Sequence, residues 1–167
     1  MIASISGITY IYWASLFMHL FSAVAWLGGI LFLTGVSRPI FEYYGEDAIA
    51  ISHRIKVRFL GFTWMLLWTV FVTGIIILLW SPKFIFLDFG TLWRLLAHLK
   101  IVLFFCLASV SLLLRKTYKE LDTFFAEATG FSNVRDRLLL RIRVLEQMEV
   151  SCAIAILLVV ALMQVYG

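Results

Sequence analysis

The sequence predicts an all-α integral membrane four-helix bundle, one transmembrane domain over residues 1–167, with both termini on the outer side. Three observations predict it. The chain is 63% hydrophobic and 14% charged, with a mean hydropathy of +1.00, whereas a soluble domain carries about 25% charged residues. Apolar runs of about 20 residues, enough to cross roughly 30 Å of hydrocarbon, recur four times. Lysine and arginine gather in two of the three connections between those runs.

The first span covers about 11–36 and contains "WASLFMHLFSAVAWLGGILFL", Trp13 to Leu33, which has no formal charge and one histidine, His19. No Lys or Arg precedes it, and it exceeds the roughly 7–15 residues of a signal-peptide core, so it is expected to be a retained span. Pro39 should end its regular hydrogen bonding shortly after Arg38. The second span covers about 59–80, with "EDAIAISHRIKVRF" as early turns ahead of it. The third covers about 92–114 and should continue outside the membrane through Ala128, ending near Gly130. The fourth covers about 143–166, with Glu146 and Glu149 in its first two turns. Ser132 or Asn133 can cap an interfacial start to that helix, in which Leu138, Leu139, Ile142 and Leu145 keep helical spacing.

Charge placement sets the orientation. Arg38, Arg54, Lys56 and Arg58 lie between spans one and two, and seven more basic residues lie between spans three and four. The tails and the second connection offer little beyond Lys83 and Arg94. The positive-inside rule then places the two basic loops in the cytoplasm and the termini outside. A lipid membrane, expected to be the bacterial cytoplasmic (inner) membrane, accounts for the net charge of +4, and nucleic acid is excluded as a partner. A homo-oligomer is compatible with this composition. Cys106 and Cys152 both fall in spans without a CxxC pattern and read as small buried apolar residues.

An ionisable residue inside a span is a functional-site hypothesis by default. His53 falls in the first basic loop and reads as interfacial. His19 lies about eight residues into helix one and His98 about seven into helix three, which puts them roughly 12 Å and 10 Å deep. Two helices thus bring an imidazole to matched depth, the arrangement that clamps a flat cofactor. Tyr12, Ser15, His19, Ser22, Trp26 and Gly29 recur at steps of three and four, a stripe that lets a ring or a helix approach closely. Arg94 stands four residues before His98, on the same face and one turn nearer the outer surface, where it suits the propionates of a haem. Lys100 lies about 200° round the helix from His98 and faces a second polar pocket or a substrate. Arg58, Glu146 and Glu149 are expected to pair across helices two and four.

These residues predict one haem b per chain, with His19 and His98 as metal ligands and Arg94, Lys100, Ser22 and Trp26 around it. Bis-histidine ligation suits electron transfer, with quinone as a fitting partner. The alternative readings are a copper-handling or transport protein, in which His19 and Met18 line a path, and a structural subunit whose histidines bond neighbouring helices.

Three stretches also carry a family resemblance. "HLFSAVAWLGGILFLTGVSRP", His19 to Pro39, resembles the first helix of CopD-like membrane proteins. "VRFLGFTWMLLWTVFVTG", Val57 to Gly74, resembles their second, which ends in a Thr-Gly pair, and "LAHLKIVLFF", Leu96 to Phe105, their third. The same landmarks resemble HemJ-type protoporphyrinogen oxidases, small proteins of four or five helices. In these a helix-one histidine and a helix-three HxK-like segment serve haem binding. That resemblance implies roles for His19, His98 and Lys100, and with Lys100 as second ligand it implies a porphyrinogen as substrate. The turn "LTGVSRP" is closer to the CopD side than to the "LPR"-like turn of HemJ-type proteins. A copper role would favour clustered methionines, but of the five in this chain only Met18 adjoins a histidine. The resemblance covers helices one to three, about two-thirds of the chain.

Overall fold

The computed structural model describes residues 2–37, 43, 46–81, 85, 88–126 and 132–166. They form four long helices: α1 (Ile2–Leu31), α2 (Glu46–Trp80), α3 (Leu92–Ala126) and α4 (Ser132–Val165). All four contain a segment long and apolar enough to cross a membrane: Thr9–Val36, Ile55–Trp80, Leu92–Thr123 and Asp136–Val165. The chain is an all-α, four-helix membrane protein.

The spans read from hydropathy are the cores of longer helices. At 1.5 Å per residue, a helix of 35 residues reaches about 50 Å, well past the hydrocarbon. The interfacial turns expected before span two begin at Glu46, and those before span four begin at Ser132. Residues 127–131, where α3 was expected to end, lie outside the described residues, as do Arg38 and Pro39. Helix α1 departs from the expected pattern before it reaches Pro39: regular α geometry gives way at Phe32 to a six-residue π-helical stretch, Phe32–Ser37.

Lipid offers no hydrogen bonds, so every polar group in a span must be satisfied within the protein. The backbone does this by coiling, and most hydroxyls do it by bonding back along their own helix. Thr34 donates to the Ile30 carbonyl (2.8 Å), Thr69 to Met65 (2.9 Å), Ser109 to Phe105 (2.8 Å) and Thr117 to Leu113 (2.9 Å). Each bond reaches four residues back, the usual way a small hydroxyl is accommodated within a helix.

Helix α1 packs along α2, and α3 along α4. Contacts between α2 and α3 and between α1 and α4 are far sparser. The bundle is therefore two helical hairpins meeting at a seam. With four spans, both chain ends lie at one end of the bundle, here the terminal end, and the two basic connections lie at the other, the basic end. One core cluster gathers Trp26, Ile30, Leu66, Leu67, Leu107 and Ala153 from all four helices. A second, around Leu60, Leu114, Tyr118 and Leu145, fills the space between α2, α3 and α4 toward the basic end. Outward faces are apolar too: Phe17, Phe21, Val24 and Leu158 are each more than half exposed, as side chains facing lipid should be. Cys106 faces outward and Cys152 is half-buried, and both are free thiols. Cys106 therefore differs from its expected burial, because its position falls on the lipid side of α3.

The α1–α2 face depends on Gly29. A Cβ added there would collide with the Phe59 ring, so the bare Cα lets the aromatic ring lie against α1. Nothing lies within 4 Å of the corresponding point at Gly28. Gly29→Ala is expected to lower stability by about 1–3 kcal/mol through overpacking, while Gly28→Ala leaves it unchanged. Unfolding midpoints in detergent check this, and equal midpoints for the two variants would show that Phe59 yields freely.

Candidate functional site

The polar stripe of α1 faces inward. Ser15, Ser22 and Trp26 are buried, and Tyr12, His19 and Gly29 are half-buried. At its centre the His19 ring turns toward α2, with Nδ1 3.0 Å from the Val70 carbonyl oxygen and 3.1 Å from Thr73 Oγ1. A carbonyl only accepts. The Thr73 hydroxyl already donates to the Thr69 carbonyl at 2.5 Å, so its oxygen is left to accept as well. With acceptors on both sides, Nδ1 carries the proton and Nε2 keeps its lone pair. Gly74 completes the seat, since a Cβ there would stand 3.2 Å from His19 Cε1. The Thr-Gly pair thus supplies one residue that accepts from the imidazole and one that makes room for it.

Lys100 of α3 is half-buried and stands close enough to His19 for the two to interact electrostatically. His98 has a different environment. Its Nδ1 donates to the Arg94 carbonyl of its own helix at 2.7 Å, and its ring lies against Phe89, with centroids 4.7 Å apart. Positions 98 and 100 project about 200° apart on a helix. The structure thus brings Lys100 toward His19 and sets His98 beside the segment that leads into α3.

Arg94 is engaged in that same segment. Its guanidinium forms a salt bridge with Asp88. The Asp88 carboxylate also accepts from the Gly90 backbone N–H (2.7 Å), and Thr91 Oγ1 accepts from the Arg94 N–H (3.3 Å). These contacts cap the start of α3 and hold Arg94 at the terminal end, the level expected for it. Ser22 and Trp26 continue the His19 stripe toward the basic end, and the buried indole Nε1 of Trp26 has no hydrogen-bond partner among the described residues. His53 falls in the first turns of α2, with its side chain outside the described ones. Among the described residues, no three His, Cys, Asp or Glu side chains converge as a metal centre would require.

A second polar cluster occupies the basic end. Glu146 accepts from Lys56 Nζ and from Tyr118 Oη, both at 2.8 Å, and Glu149 accepts from Ser111 Oγ at 2.5 Å. The cation reaching α4 is therefore Lys56, in place of the expected Arg58, which is exposed. Those two residues also sit two positions apart, so the rotation of α2 that turns one inward turns the other out.

Sequence reasoning missed Val70, Thr73 and Gly74 as the seat of His19. A hydroxyl followed by glycine, in a span that pairs with a histidine-bearing one, is the signal that would have found them. Compared with models of known families, with curated proteins and with solved structures, the chain matches none.

Proposed function

We propose that the protein is a haem b-binding membrane oxidoreductase in which His19 would hold the iron. The observation that carries this reading is the bond from His19 Nδ1 to the Val70 carbonyl, reinforced by Thr73. Histidines that ligate metals characteristically donate their second ring N–H to a carbonyl or carboxylate, which fixes the tautomer and raises the basicity of the ligating nitrogen. What supports a haem here is the lone pair on Nε2 of His19 and the amine of Lys100 within its electrostatic reach, with the Trp26 indole N–H, without a partner among the described residues, two turns along the same stripe. His98, whose Nδ1 donates in the same manner, is the alternative second ligand.

A bound haem would supply one-electron chemistry, with a potential set by its ligands, their hydrogen bonds and its burial. The chain's own residues do the rest. Val70 and Thr73 hold the imidazole plane, and Gly74 lets it lie flush with α2. Ser22 and Trp26 offer polar contacts inside an otherwise apolar wall, and Arg94 at the terminal end suits carboxylates. Two protein nitrogens on the iron would leave no site for oxygen, which favours electron transfer with a quinone or a porphyrinogen as partner. The location that goes with this reading is a bacterial inner membrane, with the basic end in the cytoplasm.

The absorption spectrum of the detergent-purified protein, expressed with haem available, tests the proposal. A Soret band with sharp α and β bands on dithionite reduction is the expected result. A colourless preparation overturns it, and copper in that preparation by metal analysis would favour the copper-handling reading instead.

A further inference from the structure

The basic end holds a cleft between the helices, walled by Ile30, Leu33, Phe59 and Leu60 and carrying Lys56, Thr63, Glu146 and Glu149. Among the described residues its charges do not balance. Lys56 compensates Glu146, with side chains only 14% and 9% exposed. Glu149, 5% exposed, has the Ser111 hydroxyl as its one hydrogen-bond partner among the described residues. The facing α1 residues Ile30, Leu33 and Thr34 carry no charge, and Arg58 on α2 is exposed. An ionised carboxylate buried without a cation is strongly unfavourable, so Glu149 needs one.

A second observation, independent of the acids, points into the same space. Thr63 is 1% exposed and lines the cleft, yet its Oγ1 has no hydrogen-bond partner among the described residues. Thr34, Thr69, Thr73 and Thr117 all return their hydroxyls to the carbonyl four residues back. Thr63 does not, and a buried hydroxyl left unmade costs about 1–3 kcal/mol. The cavity itself is about 30 Å³, room for one or two waters and far too little for an organic ring.

We propose that Glu149 is a proton-binding site, whose carboxyl carries a proton that a water held by Thr63 exchanges with the basic-loop face. Ser111 donates to Oε1 of Glu149, which leaves Oε2 to bear the proton. The water accepts from the carboxyl and bonds Thr63 Oγ1, satisfying both. The titratable groups facing Glu149 are Lys56 on α2, Tyr118 on α3 and, on its own helix, Glu146 and Cys152. By helix rise, Thr63 lies about 15 Å along α2 from Thr73, which seats His19. The inference stands on the cleft alone and survives even if no haem binds.

Infrared spectroscopy of the full-length protein in lipid, at neutral pH, tests it. The expected result is a protonated-carboxyl stretch that shifts in heavy water, is lost in Glu149→Gln and is retained in Glu146→Gln. Thr63→Val should keep the band and slow its hydrogen–deuterium exchange, a readout that requires a folded protein and a working exchange path. An unaltered band in Glu149→Gln, or no band in the wild type, overturns the proposal. Thermal stabilisation by sodium over choline in a wild type without the band would identify a metal cation as the compensating charge, which also overturns it.

Discussion

Replacing His19 with alanine is expected to abolish the Soret band altogether, whereas replacing His98 leaves it in place. The difference follows from surroundings, since both imidazoles hold their proton on Nδ1. His19 is oriented by a neighbouring helix, through Val70 and Thr73, and lies within electrostatic reach of Lys100. His98 is oriented by its own helix and lies tilted against Phe89. Lys100→Leu should therefore keep the haem but change its spectrum from six-coordinate low-spin to five-coordinate high-spin, with new carbon monoxide binding. A high-spin spectrum in His98→Ala, with Lys100→Leu unchanged, would assign the second ligand to His98. Thr73→Val removes one acceptor from His19 and leaves the Val70 carbonyl. It should weaken haem affinity about 10–100-fold, the usual range for partners of a ligating histidine, and haem transfer to apomyoglobin measures it.

The second large effect lies at the other end of the bundle. Glu146→Ala is expected to destabilise the protein by about 3–5 kcal/mol, because it strands the Lys56 ammonium in a site that is mostly closed to solvent. The Tyr118 hydroxyl loses its bond to Glu146 in the same substitution. The double variant Lys56→Met/Glu146→Leu removes both charges and should recover most of that loss, since a buried ion pair replaced by apolar side chains is often neutral. Unfolding midpoints for the two single variants and the double variant close the cycle. A double variant no more stable than Glu146→Ala would show that the pair stabilises by attraction beyond relieving isolated charge.

Much of this architecture is written in the order of residues. Four apolar runs make four spans, and the extra turns of α2 and α4 follow from "EDAIAI" and from the "SNVRDR" that opens α4. The inward face of α1 follows from Ser15, Ser22 and Trp26 at steps of three and four. What could not be read is rotation relative to neighbours. Lys56 and Arg58 are equally good cations for Glu146 until the roll of α2 selects one. The same holds for His98 and Lys100 on α3. The partner of His19 was hidden for a different reason: Val70 contributes a carbonyl, which every residue has, so nothing in its side chain marks it. Thr63 was silent as well, because a threonine in a span usually bonds its own helix and only the observed geometry shows this one does not.

The seam between hairpins has a mechanical consequence. Each hairpin is closed along its own length, so each can enter a bilayer as a finished pair and dock afterwards. The Lys56–Glu146 bond joins α2 of the first pair to α4 of the second and rivets the docked halves at the basic end. Elsewhere along the seam α2 and α3, and α1 and α4, meet more sparsely than the helices within each hairpin, with Phe71 of α2 stacked on Phe104 of α3. The assembled molecule is therefore held more tightly within each hairpin than between them, and its one described buried ion pair across the seam sits at the basic end.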